Sequence, residues 1–491
     1  MTLSTEKLRV LEDIVGPENV SFDEAEIFCY LIDASDFPLL GLHIKRLRPK
    51  PSAVVRPQTT EDVVEIIKFA RKNKIPVTPR GAGTSLAGQA YPIKGGIIMD
   101  MRKMDKIMET RIEDLQVVVE PGVRYKYLDE KLRENNFFFP PEPGSAEICT
   151  VGGMVACNAS GIRAIKYGAT RDWVLGLEVV LPNGEVIKTG TKALKSSSGY
   201  DLTRLFVGSE GTLGVITEVT LKILPAPESE ILALAGFNSV LDLGKASVET
   251  ISSGILPSAM EIVTERYIDA MAKVSGIKLP QTPFLLMVNF DGIKESVNYE
   301  VSKFDEICRK NCVEEIIVIT NSKEIKRVWY ARHWAVPMLS KVLPPPAKMR
   351  VHVPSVHDIG VPISKVPDLL VLAQETAKKY NLAIYPIGHI GDGNVHIVMT
   401  MDITDKDMVE RCRKAADEIY EKVLEWGGTV TAEHGIGLMK AAYMSREHGL
   451  ALEVMRRIKK AIDPDNIMNP GQMALDETPK DIFSIILEEI S

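Results

Sequence analysis

Residues 50–86 read KPSAVVRPQTTEDVVEIIKFARKNKIPVTPRGAGTSL, and this stretch has a strand–helix–strand pattern. It predicts a strand at 53–56, a helix whose cap region is 59–62, and a second strand that ends in a glycine-rich turn. The helix carries a one-sided apolar stripe, which consists of Val63, Val64, Ile66, Ile67 and Ala70. Because strand, helix and strand follow one another, an α/β or α+β subdomain is expected here.

The chain on either side of this stretch divides into four segments. Residues 1–46 have the pattern of short helices. Further strand patterns occur at 97–99, 115–120, 177–181 and 215–223. The run Leu224-Pro225-Ala226-Pro227 interrupts strands and helices alike, and longer helices alternate with strands after it. We therefore expect an α+β protein divided into residues 1–46, 47–227, 228–450 and 451–491.

Composition narrows the class of protein. The 491 residues are 45% hydrophobic and 25% charged, an ordinary globular balance, and the net charge of −7 disfavours non-specific nucleic-acid binding. Because no apolar run is long enough to span a bilayer, we expect no transmembrane segment. The N-terminus has no signal-peptide pattern, and the six cysteines form no CxxC pair. We expect a cytoplasmic protein without an iron–sulfur centre of its own.

Four glycine-rich segments lie within about 140 residues: PRGAGTS at 79–85, PPEPGS at 140–145, TVGGMVACNASG at 150–161 and GSEGTLGVI at 208–216. The first lacks the Lys-Ser/Thr ending of a P-loop and the third glycine of a dinucleotide fingerprint. Glycines still let backbone N–H groups approach an anion, and Thr84 and Ser85 add hydroxyl donors. One such turn is easily structural, whereas four together indicate backbone packed around one large ligand.

Two histidine motifs follow in the second half of the chain. GHIGDGNVH at 388–396 places His389 and His396 seven residues apart, and its glycines permit a tight turn that brings the imidazoles together. TAEHGIG at 431–437 adds Glu433 and His434. Two histidines and one carboxylate leave coordination positions open, as a catalytic metal requires. The alternative is that they are loop histidines with hydrogen-bonding roles.

These motifs, together with IDPDNIMNPGQM at 462–473, closely resemble the vanillyl-alcohol oxidase/p-cresol methylhydroxylase superfamily. The resemblance covers roughly residues 20–475. It is strongest to the branch of D-lactate dehydrogenases, glycolate oxidase FAD subunits and D-2-hydroxyglutarate dehydrogenases. It implies an N-terminal helical segment (1–46), a two-subdomain FAD-binding domain (47–227) and an α+β cap domain with the metal site (228–450). Residues 451–491 would return to complete the flavin site.

The resemblance also implies which residues contact FAD. Those expected at the pyrophosphate are Arg80, Gly81, Ala82, Gly83, Thr84 and Ser85. Those expected along the flavin and ribityl chain are Pro143, Gly144, Ser145, Gly152, Gly153, Asn158 and Gly161. Those expected at the adenosine half or pyrimidine edge are Glu210, Thr212, Gly214 and Ile216, and Asn469 would approach the isoalloxazine. No histidine lies between His43 and His333, so we expect non-covalent FAD, with Cys149 and Cys157 as the remaining candidates for a covalent link.

The same resemblance assigns the reaction. His389, His396 and Glu433 would bind one divalent metal, with zinc the usual ion and Fe(II) or Mn(II) fitting the same ligands. His434 would be the catalytic base, Arg332 would grip the substrate carboxylate, and Asn394 would touch substrate or a ligand. The implied reaction is oxidation of a D-2-hydroxy acid to the 2-oxo acid, with hydride transfer to flavin N5.

The substrate and the electron acceptor are less closely defined. Relatives that act on dicarboxylates usually carry a lysine just before the segment matching 357–362, where this chain has Val356 and His357. This favours D-lactate or glycolate. Relatives pass electrons to an iron–sulfur subunit, an electron-transfer flavoprotein, a cytochrome or a quinone. We expect a dehydrogenase with oxygen a poor acceptor, acting as a homo-oligomer or a complex subunit that a partner can hold at a membrane.

Two other functions fit parts of the pattern. Flavin-dependent alkyl-glycerone-phosphate synthases share the FAD fold but are transferases that do not need this metal set. An electron-relay flavoprotein subunit would carry the flavin without oxidising a hydroxy acid itself. Loss of activity on chelation argues against the first, and oxidation of a hydroxy acid with a dye acceptor argues against the second.

Overall fold

The computed structural model describes residues 3–342 and 352–490. The side chains of Val356 and His357, on which the substrate expectation depends, lie outside the described part. The described strands are β1 (Val20–Ser21), β2 (Pro51–Val55), β3 (Val77–Arg80), β4 (Gly96–Asp100), β5 (Ile107–Arg111), β6 (Gln116–Val119), β7 (Phe137–Phe138), β8 (Val174–Val180), β9 (Val186–Gly190), β10 (Val215–Lys222), β11 (Leu224–Pro225), β12 (Ser229–Phe237), β13 (Ala259–Thr264), β14 (Phe284–Gly292), β15 (Glu315–Ile319), β16 (His352–Gly360), β17 (Ile384–Ile387) and β18 (Asn394–Asp402).

The α-helices lie between these strands and at the two ends of the described chain. They are α1 (Thr5–Val15), α2 (Glu24–Tyr30), α3 (Phe37–His43), α4 (Thr60–Asn73), α5 (Tyr125–Arg133), α6 (Val151–Cys157), α7 (Ala164–Tyr167), α8 (Leu202–Phe206), α9 (Val240–Ser252), α10 (Glu265–Ser275), α11 (Lys294–Lys310), α12 (Ser322–Val342), α13 (Val366–Tyr380), α14 (Lys406–Glu425), α15 (Met444–His448), α16 (Leu450–Ile462) and α17 (Ile482–Glu489). Each of the described helices is too short or too polar to cross a lipid bilayer. The mixture of helices and sheets confirms the α+β class.

The chain forms two compact units, which interleave along the sequence. Unit 1 comprises Met1–Ser160, Ala169–Ala226 and Glu433–Ile482, and unit 2 comprises Gly161–Gly168, Pro227–Ala432 and Phe483–Ser491.

A four-stranded sheet in the order β1-β2-β4-β3 opens unit 1. Strands β2, β4 and β3 are parallel, which is the pairing that a strand–helix–strand unit produces. Helix α4 connects β2 to β3 and begins with the predicted cap, because Thr59 and Asp62 form a reciprocal capping box. Its buried side chains are Val63, Ile66, Ile67 and Ala70, which confirms the predicted stripe except for the half-buried Val64.

A second sheet in unit 1, in the order β5-β6-β10-β8-β9, is antiparallel throughout. The C-terminal tail returns to the first sheet, where Met468 pairs with Val77 in parallel beside β3. Lys459 on α16 holds this tail, since its buried ammonium donates to the carbonyls of Thr212 and Met468 at 2.9 Å each and pairs with Asp463.

Unit 2 contains an antiparallel sheet in the order β13-β14-β12-β15 and a three-stranded sheet in the order β16-β18-β17. A bridge between Ile262 on β13 and Gly388, which directly follows β17, joins edge strands of the two sheets. This bridge matters for the site, because it brings the turn that begins at Gly388 beside a buried strand.

The compact units differ from the sequence boundaries in three places, one of which is the C-terminal stretch Phe483–Ser491, which belongs to unit 2. Residues 433–450 lie in unit 1, whereas the sequence boundary places them with the cap domain, because their backbone is bound by Glu210 of unit 1. Residues 161–168 lie in unit 2, where Lys166 and Tyr167 bind the buried Asp291. The N-terminal residues 1–46 belong to unit 1.

Candidate functional site

The glycine-rich turn after β3 packs tightly against its surroundings in unit 1. A Cβ on Gly81 would overlap Oγ1 of Thr150, and a Cβ on Gly83 would overlap the Arg80 guanidinium. Arg80 is buried and donates to the carbonyl of Ile32 at 2.6 Å. Burial lowers the pKa of the Arg80 guanidinium, against the raising effect of Asp33. The side chain of Arg80 therefore supports the turn from beneath, while the half-buried residues 81–85 form its accessible face.

The stretch 150–161, which the sequence groups with glycine-rich turns, is helical over part of its length. Thr150 caps α6 by accepting from the Gly153 amide at 3.3 Å. Asn158 ends α6 in the left-handed conformation at φ 50°, and its side-chain oxygen accepts from the Arg171 amide at 2.9 Å. The two glycines disfavour a helix. The Thr150 cap and the burial of Val151, Met154 and Val155 stabilise the helix in spite of them.

The segment 208–216 lies directly against α6. The amide of Gly208 donates to the Val155 carbonyl at 2.9 Å, and that of Glu210 donates to the Ala156 carbonyl at 2.8 Å. Thr212 turns its hydroxyl back to Ser209, and Ile216 pairs with Val179 between β10 and β8. A Cβ on Gly214 would press on Val180, so this glycine serves close strand packing. The structure thus brings the segments 81–85, 150–158 and 208–216 together within unit 1.

The side chains of Glu210 and Asn469 are hydrogen-bonded within the protein, and the FAD contacts that the resemblance implies for these residues stay a prediction. The buried Glu210 carboxylate accepts from the amides of Ile436 and Gly437 at 2.8 and 2.9 Å, and burial raises its pKa to about 7. The Asn469 amide group donates to the carbonyls of Gln89 and Glu210 at 2.9 and 2.7 Å. Both side chains hold the 436–437 turn and the C-terminal tail in place.

Open space beside small residues is the observation that fits a flat cofactor. A Cβ on Gly144 would meet nothing within 4 Å, and one on Gly153 would meet only Oγ1 of Thr150 at 3.2 Å. Residues 81–85, 152–153 and 156–160 are all half-buried, although β3 apart from Pro79 and the remaining face of α6 are buried. Pro143 and Ser145 shape the turn before α6, where their carbonyls accept from Ala146 and Cys149 at 2.9 Å each. Gly161 is buried in unit 2 at φ 144°.

The predicted histidine pair converges in unit 2. The ring centroids of His389 and His396 are 5.3 Å apart, with the rings edge to face. The turn between them requires glycine at position 393, where φ is 87° and a Cβ would overlap the Val361 carbonyl. The expectation that these two imidazoles come together is confirmed.

A carboxylate that the sequence reasoning missed lies behind His389. Glu261 on β13 is 0% exposed, and its Oε1 is hydrogen-bonded to Nδ1 of His389. Its Oε2 accepts from Nη2 of Arg332 at 2.6 Å. Burial alone raises the pKa of Glu261, and the charges of His389 and Arg332 outweigh burial and lower it. The sequence does contain a sign of this carboxylate, because Glu261 is the one acidic residue in the mainly apolar run AMEIVT at 259–264.

Asp358 on β16 is a second missed carboxylate, also 0% exposed. Its Oδ1 accepts from Nδ2 of Asn394 at 2.5 Å and lies 3.7 Å from Nδ1 of His396. Its Oδ2 accepts from the Thr431 hydroxyl at 2.7 Å and from the Ala432 amide at 3.0 Å. Asn394 is therefore bound to Asp358, while its own buried side-chain oxygen has no partner among the described residues.

Glu433 and His434 lie in unit 1. Nε2 of His434 is 3.2 Å from Oε1 of Glu433, and the Ser160 hydroxyl donates to Oε2 of Glu433 at 3.3 Å. The His434 carbonyl accepts from the Gln89 side chain at 2.6 Å, which fixes the backbone beside the imidazole. Glu433 directly follows Ala432, whose amide is bound by Asp358.

The carboxylates beside His389 and His396 in unit 2 fit the surroundings of a metal ion. In metal sites the histidine ligands typically donate the second ring nitrogen to a carboxylate, which fixes the tautomer and the ring orientation. Glu261 occupies this position at Nδ1 of His389, and Asp358 lies on the Nδ1 side of His396. Nε2 is then the nitrogen of each ring that points away from its carboxylate.

Known protein families match most of the chain. The family described as "FAD linked oxidases, C-terminal domain" matches residues 226–473, and the "FAD binding domain" family matches residues 51–190. The glycolate oxidase subunit GlcD of Bacillus subtilis is 35% identical over 478 residues, which are 96% of this chain and 98% of that protein. The mitochondrial D-lactate dehydrogenase (cytochrome) of Arabidopsis thaliana is 36% identical over 86% of this chain and 73% of its own length.

Solved structures give the same fold. Substrate-bound p-cresol methylhydroxylase has a TM-score of 0.75 at 18% identity and is covered over 96% of both chains. Alkyldihydroxyacetonephosphate synthase has a TM-score of 0.74 at 20% identity, over 96% of this chain and 85% of its own. At such identities the likeness concerns the fold alone, and it agrees with the expected α+β fold.

Proposed function

The chain belongs to the FAD-linked oxidase family that includes D-lactate dehydrogenases and glycolate oxidase subunits, and we propose that it oxidises a D-2-hydroxy acid to the 2-oxo acid with the help of a metal. The single observation that carries the metal-assisted reaction is the cluster of His389, His396, Glu261 and Arg332 within unit 2. The cluster contains imidazoles that can bind a metal cation and a guanidinium that can bind the carboxylate of a substrate.

FAD would occupy the small-residue face of unit 1. The half-buried turn 81–85 would hold the pyrophosphate through backbone amides and the hydroxyls of Thr84 and Ser85, with Arg80 supporting the turn. Gly144 and Gly153 border open space where the flavin and ribityl chain would lie, and Gly152 beside them allows close packing of α6 on Pro121. FAD, when bound, supplies an acceptor for hydride at N5. We propose non-covalent binding, since the FAD-binding domain contains no histidine between His43 and His333.

The metal ligands in this proposal are His389, His396 and Glu433. Hydrogen bonding of Glu261 to Nδ1 supports Nε2 of His389 as a ligand atom. Glu433 is the next residue after Ala432, whose amide donates to Asp358. This position along the chain supports Glu433 as the third ligand. A divalent ion held there, with zinc in first place and Fe(II) or Mn(II) as alternatives, would supply Lewis acidity that lowers the pKa of the substrate hydroxyl.

The protein's own groups have three tasks in the reaction. Arg332 binds the substrate carboxylate and so orients the α-carbon, which is a positioning effect. His434 accepts the hydroxyl proton on its imidazole, a role of general base worth about 10²- to 10⁴-fold. Asn394 holds Asp358 in place, and its buried side-chain oxygen, which has no partner among the described residues, is the atom that we assign to a ligand contact.

D-lactate and glycolate are the proposed substrates. The names of the relatives and the absence of a lysine before residue 357 both support a monocarboxylate. Electrons would leave the reduced flavin for a separate acceptor, which we propose to be a protein or quinone partner. We place the reaction in the cytoplasm.

Anaerobic bleaching of the flavin tests this function. Purified holoprotein is mixed with D-lactate, L-lactate, glycolate and D-2-hydroxyglutarate in turn, and absorbance near the flavin maximum is followed. We expect D-lactate or glycolate to bleach the flavin faster than L-lactate and the dicarboxylate. If dithionite reduces the flavin and none of the acids does, the proposal fails and an electron-relay subunit becomes the better description.

A further inference from the structure

We propose that Glu261 is a positioning residue that serves the metal and the substrate carboxylate at once. One buried carboxylate fixes the tautomer of His389 through Oε1 and the direction of the Arg332 guanidinium through Oε2. The inference rests on the proposed function, because it takes His389 as a metal ligand and Arg332 as the carboxylate-binding group.

The backbone of unit 2 explains why these three residues meet. Ile262 bridges to Gly388, with its amide donating to the Gly388 carbonyl at 3.0 Å. Glu261 and His389, the neighbours of these two residues, are thereby brought together although 128 positions separate them in the chain. Arg332 arrives from α12, and its side chain is buried like that of Glu261.

For His389 the consequence is a defined ligand atom. A carboxylate oxygen at Nδ1 favours the tautomer with the proton on Nδ1, which leaves the Nε2 lone pair for a metal. An amide side chain at position 261 can still accept from Nδ1, but it carries no charge to raise the basicity of the ring. Removing such a carboxylate typically weakens metal binding by about 10- to 100-fold.

For Arg332 the consequence is that Glu261 fixes the direction of the guanidinium, while other N–H donors of the same group are left to bind a substrate. Nη2 is committed to Glu261 at 2.6 Å, whereas Nε is buried and has no hydrogen-bond partner among the described residues. A buried guanidinium donor without a partner is unfavourable unless a ligand satisfies it. A substrate carboxylate is the group whose planar pair of oxygens matches this donor edge.

The test is metal affinity measured on the FAD-containing protein without turnover. Zinc is titrated against a competing chelator into the wild type, Glu261→Gln, Glu261→Asp and His389→Ala. We expect zinc binding about 10- to 100-fold weaker in Glu261→Gln, intermediate in Glu261→Asp, which keeps the charge, and lost in His389→Ala. The KM for the hydroxy acid should also rise in Glu261→Gln, because Arg332 loses its anchor.

Asp291→Asn is the matched control. Asp291 is also a buried carboxylate in unit 2, 4% exposed, and it pairs with Lys166 at 2.6 Å, but it has no histidine partner among the described residues. Replacing it perturbs a buried ion pair in the same way. Zinc affinity should be unchanged in this variant, which separates positioning of His389 from a general loss of stability.

Each outcome decides the inference. Wild-type zinc affinity in a folded Glu261→Gln, with zinc lost in His389→Ala, overturns the role of Glu261 and leaves the proposed function standing. Zinc binding that does not depend on His389 overturns the metal site itself. If Glu261→Gln fails to fold, Glu261→Gln/Arg332→Met replaces it and is compared with Arg332→Met. The inference then requires weaker zinc binding in the double variant, and equal binding overturns it.

Discussion

His434 and His389 have different proposed tasks at the residue scale, and alanine variants separate them. His434→Ala should keep FAD and metal and lose turnover by about 10²- to 10⁴-fold, because only a proton acceptor is removed. His389→Ala should keep FAD and lose both metal and turnover. Flavin absorbance, elemental analysis and dye-linked turnover measure these three properties. Loss of the metal in His434→Ala would make His434 a ligand instead of the base.

Glu210 predicts a pH dependence of stability. Burial raises the pKa of its carboxyl in the folded protein to about 7, from an ordinary value of 4.5. Between these two pH values the folded protein binds more protons at Glu210 than the unfolded chain, so its contribution to stability falls as pH rises through this window. Above the pKa of the folded protein, the contribution of Glu210 to stability no longer changes with pH.

Glu210→Gln removes this titration and keeps one side-chain oxygen, which can accept from one of the Ile436 and Gly437 amides that the two carboxylate oxygens bind separately in the wild type. The melting temperature of the wild type relative to the variant should therefore decline from pH 5 to pH 7.5. Urea unfolding at the same pH values provides an independent measure. A difference that grows with pH would mean that the ionised carboxylate is the stabilising form.

Residue-level prediction from the sequence succeeded where the residues lie close together in the chain. His389 and His396 share one short motif, and their convergence follows from two glycines. Glu261 and Asp358 were missed because their partners are distant in sequence, 128 positions for Glu261 and His389. A carboxylate within an apolar strand signals a buried partner but does not say which one.

At the scale of elements, the packing of the β3 turn against α6 gives a prediction about FAD. A Cβ on Gly81 would overlap Oγ1 of Thr150, so Gly81→Ala should displace the turn and lower the FAD content. Adding Thr150→Ala removes the overlapping oxygen, and the double variant should regain FAD. The ratio of flavin to protein absorbance measures the occupancy.

Thr150→Ala alone is the control for the lost helix cap. It removes the acceptor for the Gly153 amide and should lower the free energy of unfolding by about 1 kcal/mol. FAD occupancy should remain close to that of the wild type. A double variant with no more FAD than Gly81→Ala would show that the overlap with Thr150 is not what displaces the turn.

Local signals decided which elements the sequence predicted well. Helix α4 has both a capping box and an apolar stripe, and its predicted start at 59–62 is confirmed. Helix α6 has two glycines near its start and only seven residues, so its propensity is low and its existence depends on burial of Val151, Met154 and Val155. Tertiary packing of that kind is not visible in a local pattern.

At the scale of the whole molecule, chain order is a poor guide to the compact units. Residues 433–482 return to unit 1 after more than 200 residues of unit 2, and residues 161–168 leave unit 1 briefly. The contacts responsible are long-range, such as Glu210 with Ile436 and Met468 with Val77. Proline runs mark a boundary where the chain changes pattern, but they carry no information about such returns.

The acceptor preference is a prediction for the intact protein. If the enzyme is a dehydrogenase, its reduced flavin should react with an artificial dye much faster than with oxygen. Peroxide formation in air and dye reduction without oxygen are compared at the same concentration of hydroxy acid. Peroxide formation as fast as dye reduction would identify an oxidase.

The most direct test of metal-assisted oxidation is a single turnover with and without the metal. Holoprotein is depleted with a chelator, dialysed, and mixed anaerobically with the hydroxy acid that bleaches the untreated flavin. We predict that the depleted protein keeps FAD, that its flavin is reduced at least about 100-fold more slowly, and that zinc, Fe(II) or Mn(II) restores the rate. Flavin reduction at the untreated rate in protein shown to contain no metal would contradict the account.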